Sequence, residues 1–165
     1  MLSRDDVWKP NSTVATVVVK KDAETSEDRF LVVEEWSQGR KVLNQPAGHI
    51  EKDESLIDAA LRETLEETRW QVRVTAYMGL YINKVSEQLT YHRHCFIAEP
   101  VQHHPDAALD DGIEDALWLT WEELLEQEKE NRMRSEAVIK CFEDYRKGKS
   151  FPLDLINDFN HPEQI

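Results

Sequence analysis

The chain has 165 residues, with 20 Lys and Arg against 33 Asp and Glu and a formal charge of −13. That length suits a single domain with a real core, and 40% hydrophobic residues with five Trp is a folded, globular composition. The charge excludes a nucleic-acid groove, because a phosphate backbone would meet repulsion rather than counterion release, and no apolar run approaches the ~20 residues of a membrane span.

Thr13 to Lys20 is β-branched and reads as a buried strand, and Arg29 to Glu35 reads as its partner across the polar loop Lys21 to Asp28. Trp36 to Arg40 forms a second loop, and Asn44-Gln45-Pro46-Ala47-Gly48 is turn punctuation. A helix is expected from about Ser55 to Thr68, capped by Asp53 or Ser55, with Asp58 completing a short capping box. Val72 to Lys84 and Leu89 to Glu99 are long enough for two paired strands, and Ala116 to Leu119 is a short strand. Trp121 to Lys129 and Ser135 to Arg146 are helices. The tail, 147 to 165, carries Phe151, Leu153, Leu155, Ile156 and Phe159, expected to pack on the body. This order predicts one α/β (α+β) sandwich domain over 1–165, a mixed sheet with helices on both faces.

Other features support less. The N-terminus from Met1 to Trp8 shows neither a basic nor an apolar signal region, so a cytoplasmic protein is expected. Cys95 and Cys141 lie far apart outside any CxxC or CxxH pattern and read as reduced, semi-buried thiols. His92 and His94 share a strand face without further ligands, and His103-His104 reads as exposed loop. Trp70, Trp118 and Trp121 read as packing residues, and Lys41 and Arg93 as solvated cations.

The expected helix carries the chemistry. At ~100° per residue, Ile57, Ala60, Leu61, Thr64, Leu65 and Thr68 share a face that must be buried. Glu63, Glu66 and Glu67 share the adjoining arc, where like charges three and four apart repel. A solvated acidic face is one explanation. Glu67, however, projects beside Ala60 at the buried edge, where a carboxylate is costly without a cation. A hard divalent ion bound by carboxylate oxygens is the other, and the small Ala59 leaves it room.

From Gly48 the order runs five residues, Glu54, seven residues, Arg62-Glu63, two residues, Glu66-Glu67. This pattern resembles the Nudix box, and the chain is identified as a member of that hydrolase family. Chance agreement at six positions is on the order of 10⁻⁷ per start. Two positions depart: Thr64 stands where an aliphatic is usual, and Arg69 where the family has glycine at the helix end.

The resemblance implies a Nudix sandwich that hydrolyses an organic pyrophosphate with Mg²⁺ or Mn²⁺. It implies that Glu63, Glu66 and Glu67 bind metal, that Glu63 or Glu66 also orients or deprotonates water, and that Glu54 and Arg62 support them. It further implies that the carbonyl of Ala47 is a backbone ligand. A later loop often adds a carboxylate, for which Glu114 is the candidate, with Asp110 and Asp111 behind it. Gly48, Trp36 and Arg40 are the candidate substrate contacts.

Phe30 to Glu35, Asn44 to Glu51, Arg134-Ser135, Tyr145 to Gly148 and Pro152 to Asn160 are further similar to the NudJ-type phosphatase branch. That likeness implies release of terminal phosphate from nucleoside di- and triphosphates and from thiamine-type pyrophosphates, including hydroxymethylpyrimidine pyrophosphate. A nucleotide-sugar, dinucleotide or oxidised-nucleotide substrate, or a non-catalytic sensing module, are the alternatives. The expected partner is a small phosphorylated molecule, with no nucleic acid and no membrane, on a monomer or homodimer.

Overall fold

The β-branched run near the N-terminus forms the centre of the molecule. In the computed structural model, which describes residues 7–162, strand β1 spans Asn11–Lys21 and is buried from Thr13 to Val19. Val14, Thr16 and Val18 alternate with Ala15, Val17 and Val19, so both faces must be covered by protein. The remaining elements are β2 (Asp28–Ser37), β3 (Arg40–Asn44), β4 (Ala47–His49), α1 (Leu56–Thr68), β5 (Trp70–Lys84), β6 (Thr90–His103), β7 (Ile113–Leu119), α2 (Trp121–Lys129) and α3 (Glu136–Arg146). A 3₁₀ turn follows at Leu153–Leu155.

The seven strands make one mixed sheet in the order β3-β2-β1-β6-β5, with β4 added on β1 and β7 on β2. Val19 to Lys21 pair with Asp28 to Phe30, as the loop between them led one to expect. The longer partner of β1 is β6, which runs parallel to it from Asn11↔Tyr91 to Val18↔Ala98. Ala47 and Gly48, expected as turn, instead pair with Ala15 and Val14, and His49 continues the pairing to Thr13.

Helices cover both faces. Ala15, Val17 and Val19 join Leu124, Val138, Ile139 and Phe142 of α2 and α3. Val14 and Phe96 meet Ala59 and Ala60 of α1 on the other face, and Val18 and Leu31 pack there with Leu61. Cys95 and Cys141 are free thiols, as expected, but fully buried in one core cluster rather than semi-buried.

Helix α1 sits rotated from the expected face. Its buried residues are Ala59, Ala60, Glu63, Thr64, Glu67 and Thr68, whereas Leu65 is 37% exposed. Two alanines let the helix approach the sheet closely, and the Thr64 hydroxyl bonds Thr16 Oγ1 at 2.9 Å and the Ala60 carbonyl at 2.7 Å. Hydrogen bonding, not an aliphatic contact, therefore sets the rotation, and it turns the acidic arc towards β4. Ser55 caps the helix, its Oγ accepting from the Asp58 N–H at 3.0 Å.

The tail packs in part. Phe151 exchanges backbone hydrogen bonds with Tyr77, and Leu153 and Ile156 pack against the α1-side core. Phe151, Leu155 and Phe159 are exposed, Phe159 by 93%, so the expected apolar set is only half used. Residues 163–165 of that tail lie outside the described residues.

Arg69 ends α1 at φ 62°, in the left-handed region, donating its N–H to the Leu65 carbonyl at 2.8 Å. A Cβ there costs about 1 kcal/mol relative to glycine. Its Nε is also buried without a hydrogen-bond partner. Arg69→Gly is therefore expected to raise the melting temperature by about 2–4 °C; a scanning-calorimetry comparison showing no rise would count against the strain.

Candidate active site

Three segments meet at the C-terminal half of α1: the helix itself, β4 with the loop up to Ser55, and the loop before β7. Arg62 ties the first two together. Its Nε donates to Glu54 Oε1 at 2.7 Å, and its Nη2 to Glu54 Oε2 at 2.9 Å and the His49 carbonyl at 3.0 Å. Its Nη1 reaches Glu63 Oε1 at 2.8 Å and Glu66 Oε2 at 3.1 Å. Five N–H groups thus meet five oxygens, and a planar fork fixes two helix carboxylates relative to the loop. The guanidinium holds Glu54 below the usual carboxylate range, and the Glu51 N–H adds to this at 2.9 Å.

Gly48 makes the close approach possible. The Glu63 carboxyl packs against its α carbon, so a Cβ at this position would overlap all three carboxyl atoms. Burial pushes the Glu63 pKa up, against the pull of Arg62. Glu67 lies deeper. Burial pushes it up to about 8, opposed by the Ala47 N–H that donates to its Oε2 at 2.9 Å and reinforced by Glu63, Glu35 and Asp110. Ala47 thus meets Glu67 through its N–H, a contact separate from the backbone carbonyl that the resemblance points to.

The third segment supplies Asp110. One oxygen each from Glu63, Glu66 and Asp110 lie within 4.8 Å of one another, and the Asp110 N–H docks on the Glu66 carbonyl at 3.2 Å. Oxygens on opposite sides of a Mg²⁺ ion stand about 4.2 Å apart, so this hard-oxygen set fits such an ion after a small closure. Among the described residues it is the only such group of three.

Several expected contacts lie elsewhere. Glu114 falls at a bulge, since Asp115 faces Glu34 and Ile113 faces Glu35, and a bulge re-aims the side chain. It accepts from Trp36 Nε1 at 3.1 Å and pairs with Lys41 at 3.5 Å, and Lys41 also binds Glu34. Glu34 and Glu35 point to opposite faces of β2, and Glu35 is the one whose charge reaches Glu67. Glu114, Trp36 and Lys41 therefore belong to the face away from α1, and Asp110 replaces Glu114 beside the helix carboxylates. Arg40 is held by the Asn131 carbonyl rather than by the site. Asp111 is not in the group that Asp110 joins.

Glu35 was missed. It shares the Leu31 and Val33 face of β2, where a charge interrupts a buried apolar alternation, and that interruption was the available signal.

His94 Nδ1 lies 3.1 Å from the Tyr77 hydroxyl, and His103, expected in a loop, ends β6 and stacks on Trp70.

A carboxylate whose folded pKa is raised is most favourable to the fold when protonated. Without metal, Glu67 therefore lowers stability progressively as pH rises from about 4.5, its ordinary value, to about 8. In chelator-treated protein, Glu67→Gln should melt at a higher temperature than wild type at pH 8, and the difference should shrink towards pH 4.5. An equal difference at both pH values would contradict the charge-burial account.

Comparison with known proteins gives the family and the fold. The NUDIX domain model matches residues 10–140. The chain is 36% identical to phosphatase NudJ of Shigella boydii serotype 4 over 156 residues, covering 94% of this chain and 96% of that protein. A NUDIX hydrolase from Nitrosomonas europaea superposes with a TM-score of 0.82 at 39% identity, over 92% of this chain and 99% of that one. The NUDIX domain of Shewanella oneidensis NrtR, solved with ADP ribose, shares the fold at TM-score 0.69 and 16% identity, over 89% and 93% of the two chains. With a glycine-cradled glutamate, an arginine-tied helix and a matching domain over most of its length, the chain belongs to the NUDIX family.

Proposed function

We propose that this Nudix hydrolase of phosphoanhydride bonds is a metal-dependent phosphatase that releases terminal orthophosphate from nucleoside di- and triphosphates and thiamine-type pyrophosphates. The observation that carries the reading is the convergence of Glu63, Glu66 and Asp110 oxygens within 4.8 Å beside Gly48. The likeness to phosphatase NudJ over nearly the whole chain supports release of terminal phosphate rather than of a nucleoside monophosphate.

Glu63, Glu66 and Asp110 would hold Mg²⁺ or Mn²⁺, with Glu67 close behind them. When bound, such an ion neutralises phosphoryl oxygens and lowers the pKa of water. The chain itself supplies position. Arg62 keeps Glu63 and Glu66 at fixed separation, Glu54 keeps Arg62 in place, and Gly48 admits the Glu63 carboxyl. Glu63 and Glu66 are placed to orient or deprotonate an attacking water, and no serine or cysteine nucleophile is required.

The organic part of the substrate has a place to go. A cleft of about 680 Å³ opens on the α3 side of the sheet, with Tyr81, Tyr91, Arg93 and Ile139 in its wall. Tyr91 packs on His49, ring centroids 6.1 Å apart, and the His49 carbonyl is an Arg62 acceptor. The cleft thus reaches β4 from the sheet face opposite the carboxylates, beside the strand that Gly48 brings to Glu63.

Incubation of a diphosphate panel with Mg²⁺, read by phosphorus NMR, should show orthophosphate as the first product, and Glu63→Gln or Glu66→Gln should lower kcat by on the order of a hundredfold or more. A nucleoside monophosphate with inorganic pyrophosphate, from a triphosphate, would instead indicate a pyrophosphohydrolase. Absence of metal-dependent turnover on every diphosphate would sink the reading.

A further inference from the structure

A substrate phosphate entering this site meets an excess of like charge. Glu35, Glu63, Glu66, Glu67 and Asp110 surround it, and the cation in contact with the helix carboxylates is Arg62. Arg62 has no donor left, because all five of its N–H groups already face Glu54, Glu63, Glu66 and the His49 carbonyl. Arg132 is held by Glu34 and Gln127, and Lys41 by Glu34 and Glu114, on the opposite face of β2.

Arg134 differs from these. Its backbone N–H donates to the Leu43 carbonyl at 2.9 Å, which fixes its Cα along the free edge of β3. Its Nη1 lies 2.8 Å from Glu35 Oε1, and the side chain is 43% exposed. Glu35 Oε1 is nevertheless buried without a hydrogen bond, so the guanidinium N–H points off the line between them and the contact is an ion pair only. Among the described residues the Arg134 side chain makes no hydrogen bond and no other ion pair. A planar fork with unengaged donors thus stands at Glu35, whose charge reaches Glu67.

We propose that Arg134 is a phosphate-binding residue of this hydrolase, its guanidinium donating to non-bridging oxygens of the substrate diphosphate while Glu35 keeps it at the rim of the carboxylate cleft. The assignment rests on the diphosphate-hydrolase reading above. Guanidinium suits the task because its paired donors match two phosphate oxygens, and it stays charged at any working pH. Glu35 acts as a positioning residue: buried and acidic, it draws the arginine inward without consuming its hydrogen bonds.

Arg134→Ala and Arg134→Lys would be compared with wild type in two assays. One is turnover of ADP and thiamine pyrophosphate with Mg²⁺. The other is calorimetric binding of the non-hydrolysable α,β-methylene analogue of ADP. Arg134→Ala is expected to weaken analogue binding and to lower kcat/KM by on the order of tenfold or more, chiefly through KM. Lys, a point charge without the fork, should recover part of both. Circular dichroism and a melting curve would confirm folding, and Arg134→Gln, which keeps the aliphatic stem, would replace an alanine variant that failed to fold. Folded variants within twofold of wild type in both assays would overturn the proposal. Wild type that turns over no diphosphate would overturn the hydrolase reading, and the binding assay would then decide Arg134 by itself. Turnover without analogue binding by wild type would leave the hydrolase reading standing and let the kcat/KM comparison decide Arg134; absence of both turnover and analogue binding would overturn both.

Discussion

The site depends on one guanidinium. Arg62 sits where Glu54, Glu63 and Glu66 converge and meets each with a hydrogen bond of 3.1 Å or less. Without it, three carboxylates and a strand carbonyl would face one another across a partly buried gap, where like charges repel strongly. With it, the array is half-compensated: two helix carboxylates keep a fixed separation, and Glu67 remains without any cation among its hydrogen-bond partners. That residual imbalance is the property a divalent ion would answer. A fully neutralised cluster would have no need of one, and a cluster without Arg62 would lose its geometry.

The fold provides the stage through two close approaches. Ala59 and Ala60 let α1 settle against β1, and the Thr16–Thr64 hydrogen bond sets the rotation of the helix. Gly48 then lets β4 reach the Glu63 carboxyl. Because β4 is three residues long and lies antiparallel to β1, the loop that follows it returns directly to the helix N-terminus, bringing Glu54 under Arg62. Packing, strand pairing and electrostatics therefore act on the same few residues, and a change in any of them moves the carboxylates.

The sheet also separates two populations of charge. Glu34 and Glu35 are adjacent in sequence and point to opposite faces. One is locked with Arg132 and Lys41 into a surface network; the other faces the helix carboxylates and holds Arg134. The alternation of a β-strand, not distance along the chain, decides which acid faces α1. The same rule removes Glu114 from the site, since the bulge in β7 turns it towards Trp36.

The spacing from Gly48 to Glu67 was enough to place three glutamates and an arginine on one stretch of helix, because helical periodicity is a local property and an acidic arc at a buried edge demands a cation. Five of the seven strands and the limits of α1 were legible for the same local reason, whereas β3 and β4 were read as loop and turn. What only tertiary structure decided was everything joining segments distant in sequence: the parallel pairing of β1 with β6, the choice of Asp110 over Glu114, the inward face of Glu35 and the arrival of Arg134 beside it. These follow from register and from bulges, where a shift of a single residue reverses the face on which a side chain emerges. The exposure of Leu65 belongs with them, since the rotation of α1 is set by a hydrogen bond to a strand 48 residues away.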